Sequence, residues 1–185
     1  MYPDTKTVIV VEVDNRSERD AASVTAEARA ALRDAFLVGP GFAFAPASLG
    51  FDAARAFAAS HGASAVRVRL VVGAAEVSRI PPYPPAMREW FGVRQSVTAD
   101  LVLADGSAAS VPSRGGGGSP GEDGVVDGKL TQAYLDESFA RAMQQAAFAV
   151  RMRILGGDKP ADVRGVASVR DLPLWAMPPG FGLPR

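Results

Sequence analysis

The residue types that usually carry catalysis are thinly spread along this chain of 185 residues, which holds one histidine and no cysteine. His61 is the one imidazole available to a Ser-His-Asp arrangement. It stands directly before Gly62, at the end of a short helical stretch, where the helix dipole favours a cation and a capping role accounts for it. A histidine-based metal site lacks a second His or Cys to complete it. The lack of cysteine also removes disulfides, thiolate catalysis, Cys-ligated zinc and iron–sulfur clusters.

Gly116, Gly118 and Gly121 satisfy the spacing G-x-G-x-x-G, but the context is wrong for a dinucleotide. Pro120 lies inside the motif, Glu122 and Asp123 follow it, and no helix opens there to receive a pyrophosphate. The carboxylate pairs Glu122/Asp123 and Asp136/Glu137 lack the apolar setting that would raise a pKa for acid–base work. The expectation is a protein that is not an enzyme, with no catalytic residue, metal ligand or cofactor. Arg67 and Arg69 share one face of a strand, with Arg94 as a candidate neighbour. Together they could bind an anion, although pairing with Asp100 or Glu12 across the sheet accounts for them more simply.

Two Pro- and aromatic-rich segments are the candidates for partner binding. The first holds Pro82, Tyr83 and Pro84 within PPYPP, followed by Met87, Trp90 and Phe91. The second, LPLWAMPPGFGLP, holds Leu174, Trp175, Met177 and Phe181. Proline holds an extended backbone at small entropic cost and aromatics supply interface anchors. Either segment could instead fold over the domain's own core.

The elements that must position these residues follow from hydrophobic period. Thr7–Asp14 reads as a strand with two apolar faces, Ile9, Val11 and Val13 on one and Val8 and Val10 on the other, so a covered central strand is expected. Asp14–Ser17 is a turn, and Ser17 or Asp20 can cap the next helix. Val24, Ala28, Ala31, Leu32, Ala35 and Phe36 give that helix an apolar stripe. Gly39-Pro40-Gly41 ends it. Phe42–Ala45 reads as a short strand and Phe51–His61 as a short helix, with Gly62 at its left-handed C-cap. Ala65–Val72 alternates, with Val66, Val68, Leu70 and Val72 on one face and Arg67 and Arg69 on the other, which pins its register because a one-residue slip would bury two arginines.

Glu76–Phe91 reads as an irregular loop, Gly92–Ala104 as a strand, Asp105-Gly106 as a hairpin turn and Ser107–Val111 as a returning strand. Ser113–Gly128 reads as a flexible Gly-rich loop. Lys129–Leu155 carries the longest helical stripe, stopped by Gly156-Gly157 and Pro160. The order β-α-β-α-β-β-β-α predicts an α/β fold: a mixed sheet of about four to five strands with three helices packed on it. One globular domain is expected over residues 1–157. A Pro/Gly-rich tail, residues 158–185, should dock on the domain or on a partner, because large apolar side chains are unusual in a solvated tail.

Lys+Arg and Asp+Glu balance at 20 each, so long-range attraction to nucleic acid or an anionic membrane is not expected. No apolar run reaches transmembrane length. MYPDTKT lacks the basic and apolar regions of a signal peptide, which leaves a cytoplasmic protein if Met1 is the native start and a processed one otherwise.

The strand–helix junctions resemble a bacterial envelope group that includes the amino-terminal domain of TolB, the CsgG-type secretion lipoproteins and the LpoB-type activators of peptidoglycan synthases. VIVVEVDNRS (Val8–Ser17) resembles the opening strand and Asn turn, HGASAVRVRLVV (His61–Val72) the second helix closure and strand, and VTADLVLADGS (Val97–Ser107) the following hairpin. Leu130–Leu155 fits the closing helix. The lipopolysaccharide-assembly lipoprotein LptE has a similar opening. The chain departs from the group in lacking a lipobox Cys and in carrying PPYPP and the tail. The resemblance implies an accessory or scaffold domain in the periplasm or at the outer membrane. Other envelope proteins or further copies of this chain would be its partners. The alternatives are a small-ligand or anion-binding module on Arg67 and Arg69, or an unrecognised hydrolase.

Overall fold

A computed structural model gives the fold and describes residues 6–36, 41–80, 90–117, 125–126 and 129–155. In chain order the elements are β1 (Thr7–Asn15), α1 (Ala21–Phe36), β2 (Phe42–Phe44), α2 (Phe51–Ser60), β3 (Ser64–Ile80), β4 (Trp90–Val102), β5 (Ala108–Gly117), β6 (Val125–Val126), β7 (Lys129–Leu130) and α3 (Gln132–Ile154). Five strands form one mixed sheet in the order β2-β1-β3-β4-β5, and β6 and β7 form a small separate hairpin. β1 runs parallel to β2 and β3, while β3–β4 and β4–β5 are antiparallel. This is the mixed α/β architecture expected from the element order.

The placement of the first two helices follows from handedness. The β1–α1–β2 connection moves one way across the sheet, and β2–α2–β3 moves back past β1 in the other direction. With the crossover hand held constant, the two helices must lie on opposite faces. They do. α1 buries Val24, Ala28, Leu32 and Phe36 with Ile9, Val11, Val66, Val68 and Leu70. α2 buries Ala54 and Ala58 with Val8, Val10 and Ala65. β1 is therefore covered on both sides, as its two apolar faces require.

α3 lies on the same face as α1 and covers β4 and β5 with Phe139, Ala142, Met143, Ala146 and Val150. Arg151 on α3 donates to the Ala35 carbonyl in the last turn of α1, 2.6 Å away, and so satisfies one of that helix's terminal acceptors.

The caps are local. Asp20 accepts from the Ser23 backbone N–H at 2.8 Å and caps α1. Ser17 instead closes the turn, donating its hydroxyl to Asn15 Oδ1 at 2.6 Å. Gly62 takes φ +68°, the left-handed cap expected of it. Asp105 accepts from the Ser107 N–H and hydroxyl in the hairpin turn, with Gly106 at φ +83°.

Three boundaries differ from the sequence reading. The region Glu76–Phe91 is not an irregular loop throughout: β3 continues to Ile80 and β4 begins at Trp90. Ser113–Gly117 is strand rather than loop, because it pairs with Val93–Val97. The ladder supplies partners that a Gly-rich stretch does not advertise by side-chain period. The last helix begins at Gln132, not Lys129. Thr131 is its N-cap and accepts from the Tyr134 N–H, while Lys129 and Leu130 pair as strand with Val126 and Val125. Residues 158–185, the expected tail, lie outside the described residues.

Candidate interaction surface

The second face of the sheet is covered by α2 only across β1 and β3. Beyond that helix it presents Arg69, Thr98, Asp100, Val102, Ser110 and Pro112 in register. Arg69 is Cα-adjacent to Glu12 on one side and Asp100 on the other. Its ion pair is with neither. Arg69 Nη2 reaches diagonally to Asp14 Oδ2 at 2.8 Å, and Arg16 Nη2 reaches the same oxygen at 2.9 Å. The Asp14 carboxyl is held below the usual carboxylate range, first by the Arg16 hydrogen bond and then, against a partial desolvation cost, by Arg69. Asp100 accepts from the Ser110 hydroxyl instead, at 2.8 Å. The expected pairing with Asp100 or Glu12 is corrected. A long guanidinium side chain spans the diagonal, and a carboxylate at the strand end collects two cations where a mid-strand one collects a single neighbour.

Arg67 is held differently. Its guanidinium carbon lies 5.5 Å from the centre of the Phe51 ring, and its Nε is buried without a hydrogen-bond partner. Arg94 does not join these two. It sits on β4 opposite Glu76, 3.7 Å from that carboxylate, beyond an irregularity in the sheet. The Arg67–Arg69 pair is thus one stacked cation beside one ion-paired to an Asp14 carboxylate that Arg16 shares.

That irregularity shapes the second feature of the surface. Between Val72 and Ala75 the β3–β4 register shifts, with Gly73 and Ala74 opposite Ser96. The bulge frees backbone groups. Gln95, fully buried, donates its amide to the Gly73 carbonyl at 2.7 Å. A Cβ on Gly73 would stand 2.3 Å from Ser96 Oγ, so a glycine suits this close approach.

Past the bulge, β3 and β4 continue as an arm. Val77 pairs with Val93 there and is 54% exposed, whereas Val93 is buried. Arg79 pairs with Phe91 and Ile80 with Trp90. Trp90 and Phe91 therefore close the described part of the arm, and Phe91 is half-buried. Pro82, Tyr83, Pro84 and Met87 belong to the stretch joining the two strands and lie outside the described residues. So do Leu174, Trp175, Met177 and Phe181. Val77 was not singled out from the sequence. Its signal is the apolar alternation Ala75, Val77 after a Gly-Ala pair, which reads as strand only once a bulge is allowed.

His61 ends α2. Its Nδ1 lies 2.9 Å from the Phe57 carbonyl oxygen and 3.0 Å from Ser60 Oγ, and its ring centre is 4.5 Å from that of Phe57. It is exposed, and its hydrogen bonds among the described residues join it to this helix turn and to no carboxylate. A third feature is a shallow apolar groove of about 280 Å³ lined by Thr7, Val66, Leu103, Ala104, Asp105 and Ile154. Four distant parts of the sequence meet there, so no local pattern announces it.

Neither a protein-family model nor a curated protein matches the chain. Among solved structures, the fold is similar to one described as a neuraminyllactose-binding hemagglutinin homolog from Helicobacter pylori. The identity is 10% and the TM-score 0.53, over 82% of this chain and 86% of that one. Lower-scoring likenesses include a PelC dodecamer from Paraburkholderia phytofirmans, at 15% identity and a TM-score of 0.40 over 77% of this chain and 86% of that one. Rare lipoprotein B from Shewanella oneidensis follows at 14% identity and a TM-score of 0.41, over 80% and 96%. The likeness to the Helicobacter pylori structure is one of fold.

Proposed function

We propose that this chain is a non-enzymatic accessory domain of a bacterial envelope assembly, placed in the periplasm or at the outer membrane and acting through contacts with other proteins. The observation that carries the reading is the β3–β4 arm: a bulge locked by Gln95 carries paired strands past the register shift, with an exposed valine on them. A folded arm with an exposed apolar side chain and Pro- and aromatic-rich sequence at its end has the composition of a docking element. The resemblance of the strand–helix junctions to the TolB, CsgG and LpoB group supports the envelope setting. Among the described residues no helix is long and apolar enough to cross a membrane, so association with the membrane would go through a partner, a lipid anchor or another part of the protein.

The test is site-specific photo-crosslinking in intact bacteria. A crosslinker at Val77 should yield discrete protein adducts, and one at Arg55, exposed on α2, should not. An absence of adducts from position 77 in a folded, envelope-fractionating protein sinks the arm as the contact surface.

A second reading, an anion-binding module, is favoured by one observation: the buried, unpartnered Arg67 Nε. A folded-state ligand raises the melting temperature. A panel of carboxylates, phosphates and acidic glycans that leaves the Tm of the intact protein unmoved removes that reading.

A further inference from the structure

The apolar groove lies where the described part of α3 ends. Its wall includes Ile154, the last residue of that helix, and the next residue, Leu155, is 53% exposed. Thirty residues follow, beginning with Gly156-Gly157, a pair that can turn the chain in either hand. At about 280 Å³ the groove falls below the roughly 300–1,000 Å³ of small-molecule sites, but it suits one large side chain. Val66, Leu103 and Ile154 supply apolar walls. Thr7 and Asp105 supply a polar rim.

That combination favours an indole, because a buried tryptophan needs an acceptor for its ring N–H while its body needs apolar contact. Asp105 Oδ1 accepts from the Ser107 N–H and hydroxyl, and Oδ2 is the second acceptor of the same exposed carboxylate.

We infer that the groove is the docking site of this chain's own C-terminal segment, with Trp175 as the anchor and Asp105 or Thr7 as acceptor of its indole N–H. Leu174 and Met177 flank Trp175 in the sequence and add apolar surface to the anchor. The choice of this segment over a second copy is a matter of concentration. Trp175 is 20 residues past Leu155, and 20 residues reach at most roughly 70 Å when extended, enough to return to the groove at the end of α3. A tether of this kind gives an effective concentration on the order of millimolar, far above that of free protein in dilute solution. This inference goes beyond the arm-based reading of function and does not depend on it.

The experiment uses the full chain with Trp90→Phe, which leaves Trp175 as its one tryptophan reporter. Trp175 should emit at shorter wavelength than in the urea-unfolded protein and should be quenched by iodide several-fold more slowly. Dilution should not change either reading. Adding Ala104→Arg should return Trp175 to solvent-like emission. Ala104 is exposed, so this change blocks the mouth of the groove without entering the core, and far-UV circular dichroism checks that the fold persists. Solvent-like emission before the blocking change overturns the inference. So does a protected Trp175 that ignores Ala104→Arg, which would place it elsewhere, and so does protection lost on dilution, which would make the contact one between copies.

Discussion

Gly73 and Gln95 show how a single contact sets the shape of this surface. The bulge brings position 73 against the Ser96 hydroxyl and frees a carbonyl that the Gln95 amide satisfies. Gly73→Ala should lower stability by about 1 kcal/mol, the usual scale for a destabilising substitution. Because the obstructing atom is the Ser96 hydroxyl, Ser96→Ala in the Gly73→Ala background should restore most of the loss in urea denaturation. A Gly73→Ala protein as stable as its parent would remove the steric account.

Asp20 has a different signature. Its carboxyl is held below the ordinary value of 3.8, first by the Ser23 N–H and then by the Ser23 hydroxyl. A depressed carboxylate pKa contributes stability that is present above the unfolded value and is lost as pH falls through the folded one. Asp20→Asn keeps the cap acceptor but removes the titration. Its Tm should therefore match the parent near neutral pH and fall less steeply toward about pH 2. The turn and cap residues here, Asn15, Asp20, Gly62 and Asp105, are readable from sequence because their partners lie within a few positions. The Arg69–Asp14 pair is not. Its partners are 55 residues apart, and two nearer-seeming acids compete for the same reading.

At the scale of elements, the contact between α1 and α3 carries a charged network that neither helix shows by itself. Arg19 donates to Asp136 at 2.7 Å, and its guanidinium lies 4.4 Å from the centre of the Phe139 ring. Glu27, half-buried on α1, has its carboxyl pushed above the ordinary value of 4.5, first by burial, with Arg19 opposing and Asp136 adding to the shift. The sign is opposite to that of Asp20. A raised carboxyl pKa means that the charged form is disfavoured in the folded protein, a penalty present above the folded pKa and relieved as pH falls through it. Glu27→Gln should raise the Tm near pH 7, and the gain should vanish once the parent's carboxyl is protonated. A loss of Tm at pH 7 would mean that the Arg19 attraction outweighs burial. The apolar stripes of α1 and α3 are present in the sequence at helical spacing. Which stripe faces which strand, and which acid ends up beside which arginine, is set only when the helices share one face of the sheet.

For the whole molecule, the division of labour is between a body and an arm. The body buries its apolar residues on both sides of β1 and β3, and the arm adds paired strands past the bulge. The arm should be dispensable for folding. Replacing residues 78–92 by Asn-Gly, a turn suited to closing the Val77–Val93 pair, should leave a cooperative transition with the Tm changed only slightly. Loss of cooperative unfolding would show that the arm completes the core and is not an appendage.

The sequence by itself determined the order of elements, the strand faces of β1 and β3, the caps and the hairpin turn. These depend on period and on contacts within a turn, which a linear pattern records directly. The tertiary structure alone decided the length of the arm, the strand in the Gly-rich stretch, the diagonal Arg69–Asp14 pair and the groove between Thr7, Leu103 and Ile154. Each of these depends on a hydrogen-bond ladder, a register shift or a packing arrangement that joins residues far apart in the chain. Such partners become neighbours only when the sheet closes.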